Sequence, residues 1–281
     1  MANPNLSAID DWLNAAWTKM PKRYHWLLLQ TLATREDRRA WIHSWRLAPG
    51  WLVVDVGCGP GIMAHEIAAI HGCRVLGLDR DASLLAVARD LNRALACASV
   101  SFQHGDIYDA LPPSPVADFA VARFLAQYAS DLTLFFAHLK AWVRPSGEVA
   151  VEDVDDAYLV EYPQPPSSWQ HIVQAFQQYQ SGTQGDRTVG RKLAHAGVAA
   201  GLALQDVQLN PRVMVRMLNP DDPSVEFDIM RIREELPNLI HEGLLTEAAW
   251  TQAERDYRAT FPQLTYVSSA TVRVLFRRPG G

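Results

Sequence analysis

The sequence predicts an α/β fold in which helices cover both faces of a parallel β-sheet. Between residues 51 and 154, short runs rich in β-branched residues alternate with segments of helical periodicity. The connections between these runs are too long for hairpins, which favours parallel strands joined by crossover helices. Hydrophobic residues make up 48% of the 281 residues and charged residues 20%, values that are typical of a globular protein.

The first elements of the chain are helices. From residue 6 to 47, apolar side chains recur at helical spacing, as at Trp12, Leu13, Trp41 and Ile42. The Pro-Gly pair at positions 49 and 50 then ends the helical pattern. Two or three helices are therefore predicted before the first strand.

The next hundred residues repeat a strand and a helix. The predicted strands are WLVVDVG, CRVLGLD, SVSFQHGD, ADFAVARF and EVAVEDV. The predicted helices are GIMAHEIAAIHG, which closes at Gly72, DASLLAVARDLNRAL, with Ser83 near its start, and LTLFFAHLKAWV. After Val154 the rhythm changes, and LQDVQLNPRVMVRML and YVSSATVRVLFRR are predicted as the sixth and last strands.

These elements predict a single domain, residues 1–281, built from a core and added helical segments. The predicted parts are a helical lid at 1–47, a binding core at 48–154, helical cap insertions at 155–188 and 220–262, and the rest of the sheet at 189–219 and 263–279. Aromatic residues are dense in the added segments. We expect the lid and cap segments to close over a ligand, although ordinary core packing accounts for many of those aromatics.

Charge and composition exclude several classes of partner. The formal net charge is −5 and the basic pairs are scattered among acids, so no nucleic-acid surface is expected. No apolar run approaches the roughly 20 residues that span a bilayer, and the start shows no signal peptide. Three cysteines without a CxxC pair favour a reduced, cytoplasmic location and argue against a cysteine-bound metal.

The stretch VVDVGCGPG, residues 53–61, carries the first functional signal. Gly57, Gly59 and Gly61 follow a buried strand directly and run into a helix. Glycines allow backbone conformations that other residues avoid, and they leave the chain bare for a ligand at the carboxyl end of the strand. A strained structural turn is the alternative interpretation.

The glycine spacing and one acid bear on the kind of ligand. Dinucleotide-binding loops use G-x-G-x-x-G against a pyrophosphate, whereas the spacing here is G-x-G-x-G. Asp55 stands two residues before the first glycine. A carboxylate there repels a pyrophosphate but can orient a loop that faces a cationic amino acid.

Two further acids follow the next strands. Asp79 ends the second strand, where an acid can accept hydrogen bonds from both ribose hydroxyls. Asp106 follows the third strand, where it can accept from an adenine amine while Ile107 lies against the ring. Each acid alone is more often a loop or helix-cap residue. The pattern of both acids after this glycine loop favours a nucleoside ligand.

With these motifs, residues 48–154 closely resemble the class I S-adenosylmethionine-dependent methyltransferases of the small-molecule branch. The resemblance implies a Rossmann-like, doubly wound sheet of seven strands with the last antiparallel. It also implies that the D-x-G-x-G-x-G loop lies against the methionine part, Asp79 against the ribose and Asp106 against the adenine. The cofactor-binding residues expected on this basis are Tyr24, Asp55, Gly57, Cys58, Gly59, Gly61, Asp79, Arg80, Asp106, Ile107 and Arg123.

The sequence lacks motifs that are typical of other branches of this family, which narrows the class of substrate. No [DNS]-P-P-[YFW] motif follows the fourth strand, as it would in an enzyme that methylates nucleic-acid bases. Arg123 stands where metal-dependent catechol-type enzymes place a carboxylate, so no metal is expected. The expected partner is a small-molecule substrate, and a homodimer stays open.

Methyl transfer from a sulfonium is an in-line displacement, so the protein has mainly to position the reactants and exclude water. A base is needed only when the acceptor atom carries a proton. The catalytic candidates are Tyr24, Glu152 and Asp153, and the substrate-binding candidates are Gln127, Tyr158 and Tyr162. Capping or loop roles are equally open for Tyr24 and for the two acids.

Two other function classes fit parts of the pattern. An NAD(P)-dependent Rossmann reductase shares the strand, glycine loop and helix, but the glycine spacing and the Gly105-Asp106 step count against it. A non-catalytic S-adenosylmethionine-binding protein keeps every cofactor motif, because such motifs report binding and not turnover. The leading prediction is a methyltransferase that yields S-adenosylhomocysteine.

Overall fold

The computed structural model of this chain describes residues 5–108, 117–183 and 185–280. The predicted lid and core segments therefore include short stretches, 1–4 and 109–116, that lie outside the described residues.

One mixed β-sheet forms the centre of the molecule. Its strands are β1 Leu52–Val56, β2 Arg74–Asp79, β3 Val100–His104, β4 Ala117–Arg123, β5 Val143–Val154, β6 Val160–Tyr162, β7 Ala203–Leu218 and β8 Gln263–Arg277. The order across the sheet is β3-β2-β1-β4-β5-β8, and both β6 and β7 pair with β8. The first five strands are parallel, and β8 runs antiparallel to β5. The predicted mostly parallel sheet with an antiparallel last strand is confirmed.

The helices lie where the periodicity placed them. They are α1 Leu6–Ala15, α2 His25–Ala33, α3 Arg35–Ser44, α4 Ile62–His71, α5 Ala82–Ala94, α6 Leu132–Trp142, α7 Ser167–Gly182, α8 Leu193–Ala199, α9 Pro223–His241 and α10 Glu247–Ala259. Gly72 ends α4 in the left-handed conformation, as expected of a glycine after a helix. The side chain of Asp81 caps the start of α5 by accepting the N–H groups of Ser83 and Leu84.

Apolar side chains cover both faces of the sheet. On one face α6 and α8 pack around Phe136 and Phe276, and on the other α3 and α4 pack around Trp41 and Phe119. A third cluster, around Trp169, joins α7, α9 and α10, and a fourth joins α1 and α2 to α5. The doubly wound arrangement is therefore present, with two added helical layers at one end of it. None of the helices in the described ranges has the length and apolar character that a bilayer crossing needs.

One strand was not predicted. The three-residue β6 pairs with β8 through Val160, Glu161 and Tyr162, which makes the sheet eight-stranded. Its segment is flanked by a proline-rich run and is too short to show a period, so the sequence predicted a cap insertion there.

A buried charge network fixes the first helices to the core. Arg38 donates two hydrogen bonds to Glu66 of α4, at 2.5 and 2.9 Å, and both side chains are buried. Arg39 joins the same carboxylate at 2.8 Å and holds Asp10 of α1 with its other nitrogens. The network thus ties α1 and α3 to α4, the helix that follows the glycine loop.

We expect the Glu66→Gln variant to lose about 3 kcal/mol of unfolding free energy, because it leaves Arg38 buried without its opposite charge. Urea unfolding measures this loss. The matched control is Asp90→Asn, which removes the pair with Arg93 on the surface, where the side chains are 45% and 72% exposed; it should change stability by less than about 0.5 kcal/mol. Equal effects of the two substitutions would contradict an anchoring role for the network.

Candidate active site

A single cavity of about 1680 Å³ opens at the carboxyl ends of β1, β2 and β4. Its walls come from the glycine loop, from the N-terminal helices and from the cap helices, and α2 packs against α9 across it. Ligand sites for one small molecule occupy about 300–1,000 Å³, so this cavity has room for two. The sequence placed the ligand at this edge of the sheet.

The glycine loop forms the floor of the cavity with left-handed backbone at Gly57, Gly59 and Gly61. A methyl group on Gly61 would lie 2.5 Å from the Phe102 ring, so this glycine permits close packing of the loop. A methyl group on Gly59 would meet nothing within 4 Å, because this position faces open space. The bare backbone at Gly59 is where a ligand can approach the chain.

Asp55 lies under this loop with an unsatisfied carboxylate. Its side chain is 2% exposed, and Oδ2 has no hydrogen-bond partner among the residues the structure describes. Burial, and then the charge of Asp79, raise the pKa of Asp55 to about 7. A cationic ligand group beside Asp55 would stabilise the ionised form.

Asp79 joins the glycine loop to the next helix. Its Oδ2 accepts the N–H of Gly59 at 2.7 Å, and its Oδ1 accepts the N–H of Asp81 at 2.8 Å. Burial raises the pKa of Asp79. Each carboxylate oxygen has a second acceptor site, so Asp79 can still take hydroxyl hydrogen bonds from a ligand in the cavity it borders.

The predicted adenine site lies further along the same wall. Asp106 and Ile107 both line the cavity, and Asp106 Oδ1 accepts the N–H of Tyr108 at 3.0 Å. Arg80 is 75% exposed and lies 3.7 Å from the other oxygen of Asp106. Cys58 also lines the cavity and donates its N–H to Leu78 at 3.1 Å. The structure thus brings these predicted residues to one surface, and their contacts with a cofactor stay a prediction.

Tyr24 lines the cavity, but its hydroxyl is engaged. It donates to the carboxylate of Asp81, the residue that caps α5, and Arg23 next to it binds Ser83 at 3.0 Å. These contacts attach the N-terminal segment to the rim of the site. The geometry assigns Tyr24 to holding the lid segment in place, which differs from the predicted catalytic contact.

Arg123 and Glu152 form an ion pair in the wall. Arg123 donates Nε to Glu152 at 2.6 Å, and Glu152 also accepts from Arg273 and Thr271 at 2.9 and 2.7 Å. The guanidinium groups of Arg123 and Arg273 outweigh the opposing effect of burial and lower the pKa of Glu152. Glu152 does not line the cavity, so this geometry does not favour its predicted role as a base.

Asp153 is also behind the cavity wall. It is fully buried and accepts the N–H groups of Gln127 and Val154, and burial raises its pKa to about 7. Strand β5 extends to Val154 and is still paired with β8 at Glu152 and Asp153. Neither acid therefore lies at the open edge of the sheet, where a catalytic role would place it. Asp153 supports the turn after β4, and this geometry does not favour the catalytic role predicted for it.

Of the three predicted substrate-binding residues, one lines the cavity and two do not. Gln127 lines the cavity, but its Oε1 accepts from Arg187 at 2.6 Å and its Nε2 donates to Phe124 at 3.1 Å, so it positions Arg187. Tyr158 and Tyr162 are 44% and 73% exposed and do not line the cavity, so this geometry does not favour the substrate contacts predicted for them.

Glu161 lines the cavity in place of the two tyrosines. It lies between Val160 and Tyr162 in β6, and alternation sends their side chains to the opposite face. Burial raises the pKa of Glu161 to about 7. Sequence reasoning missed this residue, together with Arg187 and Arg231 of the cap, because no local motif marks them. Within the described ranges, no group of three or more His, Cys, Asp or Glu side chains is placed to hold a metal ion.

The comparisons with known proteins agree with this geometry. Residues 53–147 match the family described as a methyltransferase domain. A 2-phytyl-1,4-naphtoquinone methyltransferase of Synechococcus elongatus is 33% identical over 119 residues, which are 41% of this chain and 51% of that protein. The chain thus spans about half the length of this curated relative.

Solved structures share the fold at low sequence identity. The YcgJ protein of Bacillus subtilis has a TM-score of 0.60 at 15% identity, over 88% of this chain and all of that one. The phosphoethanolamine N-methyltransferase 2 of Haemonchus contortus, solved with S-adenosyl-L-methionine, has a TM-score of 0.53 at 16% identity, over 86% and 52%. The family match confirms a methyltransferase domain at residues 53–147, and these structures confirm the predicted fold.

Proposed function

We propose that this protein transfers a methyl group from S-adenosylmethionine to an oxygen, nitrogen or carbon nucleophile of a small-molecule metabolite. The observation that carries the proposal is the continuity of one cavity, which is lined at once by the glycine loop with its acids and by residues of the cap. A cofactor and an acceptor can therefore lie side by side in it.

The residues of the core fit this cofactor. Gly59 offers bare backbone that faces open space, and Asp55 offers a buried oxygen that lacks a partner. Asp79 and Asp106 border the same space with acceptor oxygens suited to hydroxyl and amine donors. We assign the methionine part to Asp55 and Gly59, the ribose to Asp79, and the adenine to Asp106 and Ile107.

When bound, S-adenosylmethionine supplies a methyl group that is already activated on a sulfonium. The chain's own residues have to orient the acceptor and keep water out. The N-terminal helices and the cap supply the enclosing walls through Trp26, Leu27, Phe176 and Phe227. Glu161, whose pKa is near 7, is suited to accept a proton if the acceptor carries one.

The relatives support a small-molecule acceptor without naming it. One is a naphthoquinone methyltransferase and another a phosphoethanolamine methyltransferase, so similar domains serve unlike acceptors. Both names describe acceptors of small size. We therefore propose the class of acceptor, and include in the proposal a reducing compartment, since Cys58, Cys73 and Cys97 are free and buried.

Two measurements test the proposal. Calorimetry should detect binding of S-adenosylmethionine and of S-adenosylhomocysteine, and no binding of NADPH. Incubation with methyl-labelled S-adenosylmethionine and a metabolite extract should move the label into a small molecule. Binding without any transfer would assign the protein to the non-catalytic class, and binding of NADPH in place of S-adenosylmethionine would overturn the family's chemistry for this chain.

A further inference from the structure

Arg231 is a cation without a partner in the cap part of the cavity. It projects from α9, and its Nε is buried with no hydrogen-bond partner among the described residues. None of the described acids has a carboxylate oxygen within 4.0 Å of its nitrogens, and Asp228 and Asp156 attract it only from a longer range. A buried guanidinium nitrogen that donates no hydrogen bond is costly, so this Nε points to a ligand that completes it.

The other arginines of this cavity show how unusual this is. Each of them has an oxygen partner in the described part of the chain: Arg23 with Ser83, Arg38 with Glu66, Arg80 with Asp106, Arg123 with Glu152, Arg187 with Asp156, Arg212 with Asp37 and Arg216 with Asp222. Those side chains build the walls. Arg231 is left available.

Aromatic rings hold the Arg231 guanidinium in place. Its central carbon lies 5.3 Å from the centre of the Phe176 ring and 5.5 Å from that of Phe227. Cation–π contacts at these distances favour one position of the guanidinium but use none of its N–H groups. The group is therefore positioned in advance for a ligand that offers two acceptor oxygens.

The neighbouring charges do not satisfy Arg231. Arg187 is bound by both oxygens of Asp156, at 2.8 and 2.9 Å, and its charge adds to the positive potential beside Arg231. Asp228, one turn earlier in α9, accepts from the Tyr257 hydroxyl at 3.3 Å. Burial raises the pKa of Asp228, and it raises the pKa of Glu161 to about 7, so Glu161 carries less than a full negative charge near neutral pH.

We propose that Arg231 binds an oxyanion of the methyl acceptor, a carboxylate or a phosphate group. The guanidinium fork matches the two oxygens of either group and forms hydrogen bonds assisted by charge. The cap residues around it place this contact on the acceptor side, away from the glycine loop. The inference rests on the proposed function and adds that the acceptor is anionic.

The test uses the full chain saturated with S-adenosylhomocysteine, so that the cofactor's own carboxylate is already bound. Inorganic phosphate and acetate are titrated separately and followed by NMR. We expect one of them to bind, and Arg231→Gln to weaken that binding about ten-fold or more. The matched control is Arg233→Gln, two residues along the same helix, where the side chain is 47% exposed, paired with Glu254 and outside the cavity.

The outcomes separate this inference from the proposed function. Tighter binding of phosphate or of acetate identifies the kind of oxyanion, provided that Arg231→Gln loses it and Arg233→Gln keeps it. Equal binding by both variants, or no binding of either anion to the wild type, overturns the inference. If S-adenosylhomocysteine itself fails to bind, the proposed function fails, and the same anion titrations on the ligand-free protein still decide the role of Arg231.

Discussion

The affinity of the wild-type protein for S-adenosylmethionine should fall about 50-fold between pH 7 and pH 5, with a slope that approaches about ten-fold per pH unit at the acid end of this range. The cause is Asp55, whose pKa burial raises to about 7 and whose Oδ2 lacks a partner. A cationic ligand needs the ionised carboxylate, so below pH 7 binding has to expel a proton first. Calorimetry across this pH range measures the slope.

The Asp55→Asn variant is the control for this slope. It cannot titrate, so its weaker affinity should be flat from pH 5 to pH 8. The charged groups that act on Asp55 are Asp79, Arg123, Arg38 and Glu66, and all of them stay in place in the variant. The same slope in both proteins would show that a group other than Asp55 governs the pH dependence.

The ligand-free protein should show the opposite effect on stability. The pKa of Asp55 in the folded state, about 7, lies above its ordinary value of 3.8. The stability linked to its protonation is therefore fully present below 3.8 and is lost as the pH rises to 7. Asp55→Asn should raise the unfolding free energy by about 2–4 kcal/mol at pH 8, and by less at pH 5, in urea unfolding without ligand.

The cofactor half of the site could be predicted because its signals are local. Gly57, Gly59 and Gly61 follow β1 directly in the chain. Their left-handed backbone is a conformation that glycine adopts readily. Asp79 and Asp106 follow parallel strands whose carboxyl ends meet at one edge. Neighbours in sequence are thus neighbours in space, and a pattern within fifteen residues of each strand reports the geometry.

The two acids of β5 show what a local pattern leaves out. Glu152 and Asp153 end a predicted strand, but β8, more than 110 residues later, pairs with both and keeps them inside the sheet. Arg273 of β8 then forms an ion pair with Glu152. The two-residue period of β5 predicts that neighbouring side chains point to opposite faces of the sheet. It does not reveal that other elements cover both of these faces.

The acceptor half could not be predicted because distant segments build it. Tyr162 was expected in the pocket, and a shift of one residue places Glu161 there, since a strand sends neighbours to opposite faces. Arg187 forms an ion pair with Asp156, and Arg231 packs on the Phe176 ring, although these four residues come from four separate segments. No spacing in the sequence links these residues, so only the fold shows that they share one cavity.

Replacing Asp79 by Ala should weaken S-adenosylmethionine binding by about 3 kcal/mol, or about 100-fold, because two kinds of contact are lost together. The loop N–H of Gly59 loses the oxygen that holds it at 2.7 Å, and the ribose loses its proposed acceptor. Adenosine separates the two contributions, since it has the ribose but does not reach the methionine site. If Asp79 binds the ribose, adenosine affinity falls as well; if only the loop is affected, it does not.

Asp118→Ala is the matched control, because that aspartate likewise accepts a backbone N–H, that of Leu52 at 2.8 Å, but lies outside the cavity. Full affinity of Asp79→Ala for both ligands would place the ribose elsewhere. The cofactor sites proposed along the wall between β1 and β3 would then be wrong as well.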